Sequence, residues 1–330
     1  MAKGSSNVKR REFYLTLFFA ALLSGMGGLL AYKNDLRGFE LAVTLATFTL
    51  LVLGYCLLGS RLVVGWLQER FKQAPWQVWI VVGSLLLPYL LFALGTHSFR
   101  LEGALRLLAF IFVPTLLLYS IRKRKAGMHW QDALAILAIW LPFDFRLLKE
   151  IWVGKVTYGF NTLLAVNLAL LLFVCFSRVE DVGYHFRIRG RIIAQALINF
   201  LAFAPIVIPI GIATGFLNFA PQNRGPLPVL LTAIGIFLFI AIPEELLFRG
   251  LIQNLLAKTL NNRPLAILIA SVIFGASHLN NAEYPRNIIY FFLATIAGIF
   301  YGRAYFATGA LLAGAITHTL VDTVWHELFK

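Results

Sequence analysis

A chain of 330 residues that is 59% hydrophobic and only 13% charged falls outside the soluble globular class, whose apolar share is about 45–50% and charged share about 25%. Its mean hydropathy of +0.78 points instead to an all-α, polytopic transmembrane helical bundle, integral to a membrane and in contact with lipid. The formal charge of +14 does not indicate nucleic acid as a partner, because the basic residues fall between apolar runs rather than along one amphipathic face.

The first apolar run, 13–32, follows the basic stretch "NVKRR". It is longer than the h-region of a signal peptide and no small-x-small cleavage pattern follows it, so it is expected to be the first span. Further runs cover 41–60, 75–95, 104–121 and 158–177. A shorter one near 130–143 ends in "LPFDFRLLKE" and is expected to be re-entrant or interfacial. Leu41 to Ser60, Gln73 to Phe99, Val156 to Ser177, Ile192 to Asn223 and Gly225 to Pro243 contain no Asp, Glu, Lys or Arg. Each is long enough, at a rise of about 1.5 Å per residue, to cross about 30 Å of hydrocarbon. Lys and Arg are frequent before the first span, in "ERFK" after the second and in "RKRK" (Arg122 to Lys125) after the fourth. The positive-inside rule then predicts a cytoplasmic N-terminus.

The mixed-charge stretch "SRVEDVGYHFRIRGR" (Ser177 to Arg191) marks the expected boundary between an N-terminal transmembrane extension of unknown role, 1–178, and a second unit, 179–330. Beyond it the runs 192–217, 226–256, 264–279, 287–305 and 308–326 bring the expected total to about 10–11 membrane segments. The cysteines, Cys56 and Cys175, lie deep in apolar runs without paired spacing. They resemble packing residues.

The second unit holds most of the ionisable residues placed inside apolar runs, and such residues mark functional sites by default. "PEELLFRG" (Pro243 to Gly250) puts Glu245 and Arg249 at i, i+4 on one helical face, where they can pair, and rotates Glu244 by about 100°. That leaves Glu244 free to act as a base. An alternative is that Pro243 opens a new helix whose first turn carries both glutamates. "FGASH" places Phe274 and His278 at i, i+4, and "THTLVDTVWH" places His318, Asp322 and His326 on one stripe. Polar groups from three separate helices must find one another in hydrocarbon, and a shared polar cavity is the least costly arrangement.

"EELLFR" (Glu244, Glu245, Arg249), "FGASH" (Phe274, His278) and "HTLVD" (His318, Asp322) occur in the order and spacing that resemble the CAAX-prenyl-protease and bacteriocin-processing (CPBP, or ABI) family of intramembrane glutamate-type proteases. The stretch "DVGYHFR" looks like the lead-in to that core, and the resemblance covers about residues 179–330. It implies hydrolysis of a peptide bond by a glutamate- and histidine-activated water. Glu244 matches the general base, and His278 and His318 match the histidines that hold the water. The implied substrate is a prenylated or membrane-associated peptide or protein with a membrane-proximal cleavage site, and no cofactor is implied. Many members carry Asn where this chain has Asp322. An ionised aspartate repels an oxyanion, so Asp322 is left with three roles: protonated donor, orienter of a histidine, or metal ligand.

Two rival readings remain at this level. A zinc-dependent membrane protease could use Glu244, His278, His318 and Asp322 as ligands, although no "HExxH" is present. A transporter or immunity-type membrane protein could use the same carboxylates and histidines to relay protons or hold a solute.

Overall fold

A computed structural model describes residues 2–330 apart from Asn34, Lys123 and Lys125; the side chains of residues 2–11 and of Lys155 lie outside that description. The side chains of the expected basic anchors in "NVKRR", and the residues Lys123 and Lys125, therefore lie outside that description. Among the described residues the regular structure is helical, with one isolated bridge between Phe219 and Phe329. The all-α class read from composition holds.

Among the described residues eight helices are long and apolar enough to span a bilayer, so the chain is an integral, multi-pass membrane protein. The expected 10–11 segments exceed that number because three apolar runs fold into helices that are short or carry polar groups. They span Trp130–Asp144, Arg263–Ala276 and Leu311–Leu328, the last of which holds His318, Asp322 and His326. Large apolar side chains such as Phe18, Leu29, Ile80, Leu116, Leu201 and Leu230 stand exposed on the long helices. That pattern suits lipid, which asks for apolar side chains and internally satisfied backbone.

The chain divides into two compact units, Met1–Arg124 with His129–Glu180, and Lys125–Met128 with Asp181–Lys330. The first contains α1 (Ala2–Lys33), α2 (Gly38–Leu57), α3 (Arg61–Gln73), α4 (Gln77–Gly95), α5 (Leu101–Ser120), α6 (Trp130–Asp144) and α7 (Thr157–Phe176). Of these, α7 is the most deeply packed, with 83% of its apolar window buried. Trp152, Phe160, Phe92 and Tyr89 form an edge-to-face cluster at one end of this unit. Arg124 forks onto the fully buried Asp132 at 2.8 and 2.9 Å, while Asp132 also accepts from the His129 backbone N–H and so caps α6. The short α3 is amphipathic. It exposes Trp66, beneath the Arg70 guanidinium, a combination suited to a membrane surface.

The second unit contains α8 (Gly190–Ala213), α9 (Pro226–Leu260), α10 (Arg263–Ala276), α11 (Arg286–Thr308) and α12 (Leu311–Leu328). Local sequence explains the boundaries. Gly225 is extended and Pro226 opens α9 without needing its missing N–H. Asn261, in the left-handed region at φ 49°, ends α9, and Asn262 caps α10 by accepting from Leu265 N–H. Gly309, at φ 65°, ends α11. In this unit α10 packs on α11, α8 packs on both α11 and α12, and α12 also packs on α9.

Candidate active site

The motif helix is continuous through "PEELLFRG". Ala241 and Ile242 have helical dihedrals, so Pro243 lies inside α9 and does not open a new helix. Both glutamates are therefore remote from any helix N-terminus, and the dipole alternative fails. An interior proline removes one backbone hydrogen bond and crowds the preceding turn. Here it is flanked by π-helical segments, Phe237–Ala241 and Leu246–Gln253. Their wider turns accommodate the ring and rotate the side chains that follow, an arrangement frequent at functional sites.

On this irregular helix the adjacent glutamates part. Glu245 and Arg249 are both fully buried, with Oε2 and Nε 3.2 Å apart, and Oε1 of Glu245 lies 3.3 Å from Nδ1 of His318 on α12. Arg249 also reaches the Gly298 carbonyl at 3.4 Å and lies over the Phe274 ring at 4.5 Å. One turn on, Gln253 donates to the Gly302 carbonyl at 3.1 Å. Arg249 and Gln253 thus form two rungs onto Gly298 and Gly302 of α11. Glycine gives the room for this approach: a Cβ at 302 would meet the Gln253 amide, and one at 298 would press on Ser271.

Glu244 is held differently. Its side chain is 33% exposed, its nearest basic atom is His318 Nε2 at 3.9 Å, and its Oε2 is buried without a hydrogen-bond partner. The His318 Nε2 lies 3.3 Å from Asp322 Oδ2. Each edge of this imidazole therefore meets a carboxylate: Glu245 at Nδ1, and Asp322 with Glu244 at Nε2. Protonated on both nitrogens, the ring satisfies both sides.

His278 lies just beyond the end of α10. Its Nδ1 is 2.8 Å from the Phe274 carbonyl, which can only accept, so that nitrogen carries the hydrogen of the neutral ring and Nε2 keeps its lone pair. Phe274 stands between the two histidines, edge-on to His278 at 4.8 Å and to His318 at 5.8 Å. The seven residues singled out from sequence, Glu244, Glu245, Arg249, Phe274, His278, His318 and Asp322, are linked through these contacts. His326 is not among them: it turns outward, half exposed, to Arg224 and Glu327.

Sequence reasoning missed several neighbours. Tyr301 stacks on His318 and Tyr290 lies edge-on to His278 at 4.7 Å. Gly314 faces the Glu245 carboxylate so closely that a Cβ would lie 2.5 Å from its Oε2. The glycine spacing at 298 and 302 was a usable signal for close helix packing. The tyrosines, two among many aromatics, gave none.

Among the described residues no three His, Cys, Asp or Glu side chains are arranged to hold one ion.

No curated protein and no solved structure matches the chain. Residues 226–324 match the family model described as Rce1-like, type II CAAX prenyl endopeptidase. That segment begins with α9 and runs through Asp322, and so contains all three motifs. Over residues 226–324 the match supports the CAAX-prenyl-protease and bacteriocin-processing family to which the motifs pointed.

Proposed function

We propose that this chain is an intramembrane endopeptidase that hydrolyses a peptide bond in a prenylated or otherwise membrane-associated peptide or protein, using Glu244 as general base and no metal ion. The observation that carries the reading is the contrast between adjacent carboxylates. Glu245 is fully buried, with its two oxygens 3.2 Å from Arg249 Nε and 3.3 Å from His318 Nδ1, while Glu244 is one-third exposed and stands 3.9 Å from His318 Nε2. The family match over 226–324 supports a peptide hydrolase acting at a membrane.

In this reading Glu244 takes a proton from a water as the water oxygen bonds to the scissile carbonyl carbon. That proton then passes to the departing amine as the C–N bond breaks, which regenerates the carboxylate. His278, with a free lone pair at Nε2, suits a second acceptor for the water. His318 contributes a positive charge that favours the Glu244 carboxylate and opposes the negative charge developing on the carbonyl oxygen. Asp322, 3.3 Å from His318 Nε2, is assigned the orienting role and not that of oxyanion donor. The alternation of basic loops supports a cytoplasmic N-terminus.

The test uses purified protein in detergent and a fluorogenic peptide ending in a farnesylated Cys-a-a-X sequence. Release of the terminal residues by the wild type, undiminished after prolonged chelation, is the expected result. No cleavage, combined with solute or proton flux in proteoliposomes, would replace this reading with the transporter alternative.

A further inference from the structure

The three motifs lie on α9, at the end of α10, and on α12. Helix α11 carries none of them, yet it supplies the surface on which His318 rests. Tyr301 lies nearly parallel to the His318 imidazole, with ring centroids 4.6 Å apart and an interplanar angle of 16°. It is almost fully buried at 1% exposure. The same ring is edge-on to Phe274 at 5.9 Å and lies 5.4 Å from the Arg249 guanidinium. The edges of His318 are fixed by Glu245 at Nδ1 and by Asp322 at Nε2. Carboxylates constrain the ring only within its own plane. A face contact is needed to stop it tipping.

We propose that Tyr301 is a positioning residue for the reaction. Resting on the proposed function above, its ring holds the His318 imidazolium by face-to-face and cation–π contact, so that Nε2 stays between Asp322 and Glu244. The aromatic face does this work, and the hydroxyl is dispensable. Tyr301 touches no reacting atom in this scheme and acts through His318, its stacking partner.

The test measures kcat and KM for cleavage of the farnesylated peptide by wild type, Tyr301→Phe, Tyr301→Leu and Tyr301→Met, with thermal unfolding recorded for each. Tyr301→Phe keeps the stack and is expected to retain kcat within about threefold. Tyr301→Leu removes it and is expected to lose about 10- to 100-fold in kcat, the usual range when a supporting residue is lost. KM should change by no more than about twofold, because only the transition state loses an interaction. Tyr301→Met, of similar bulk without a ring, should follow Leu, and it decides the matter if the Leu variant does not fold. Wild-type kcat in the folded Leu or Met variant, with Glu244→Gln inactive, would overturn the positioning role and leave the glutamate mechanism standing. A Phe variant as impaired as Leu would overturn the ring-stacking account. Cleavage by Glu244→Gln at the wild-type rate would reject the mechanism and this inference together.

Discussion

Glu245 and Arg249 place opposite charges in a part of the bundle with 0% and 1% side-chain exposure, so removal of either leaves the other uncompensated. Breaking such a pair costs on the order of 3–5 kcal/mol. Glu245→Gln and Arg249→Ala are therefore expected to lower folded yield and thermal stability in detergent as well as turnover, and normal unfolding curves for both would remove the structural role. Asp322 makes a separate prediction. With its carboxylate on His318 Nε2, Asp322→Asn should fall about 10- to 100-fold in turnover, close to Asp322→Ala, as expected when a group that orients another is lost. A pH–rate profile in which the Asn variant keeps full activity and loses only an alkaline decline would restore the donor role. The division between Glu244 and Glu245 was legible in sequence because a helix puts i and i+4 on one face and rotates the neighbour away. The bond from Glu245 to His318 was not, since it depends on how α9 and α12 approach.

That approach is set by glycine. Gly314 on α12 leaves room for the Glu245 carboxylate, and Gly302 on α11 leaves room for Gln253. Gly314→Ala and Gly302→Ala are expected to destabilise the protein by about 1–3 kcal/mol, the usual penalty of overpacking. Gly235 in α9 has nothing within 4 Å of an added Cβ, so Gly235→Ala serves as the control. It should be neutral or slightly stabilising, by about 0.5–1 kcal/mol at most. Differential thermal unfolding of the three variants checks this, and equal behaviour would show that close approach at 302 and 314 does not matter. The continuity of α9 is another property of the element that the sequence hid. Proline is a strong local signal for a helix start or break, but π-helical turns on both sides let the helix run through Pro243. Local propensity does not encode that outcome. Short helices α6 and α10 were equally hard to place, because an apolar run of about 15 residues fits a buried helix, an interfacial helix or a partial span.

At the scale of the whole molecule, hydropathy alone gave the membrane class, since long uncharged runs have few other structural solutions. It gave topology only through the positions of Lys and Arg. Helices α1 and α2 are joined by a short turn, and α3 then lies between the spans α2 and α4. A cytoplasmic N-terminus puts the exposed Lys72 on the cytoplasmic side, and the exposed Asp35 and Arg100 on the opposite side. Both native cysteines are buried, so single introduced cysteines can be read against a low background. Lys72→Cys should react with an impermeant maleimide only when the cytoplasmic face is open, and Arg100→Cys only from the other face; the reverse pattern would invert the topology. The account as a whole turns on one carboxylate. Its most direct test is turnover of the farnesylated peptide by Glu244→Gln beside wild type, with thermal unfolding measured on the same preparations. Matching unfolding with cleavage reduced to background is the predicted result, and a folded Glu244→Gln protein that still cleaves the peptide would contradict the account.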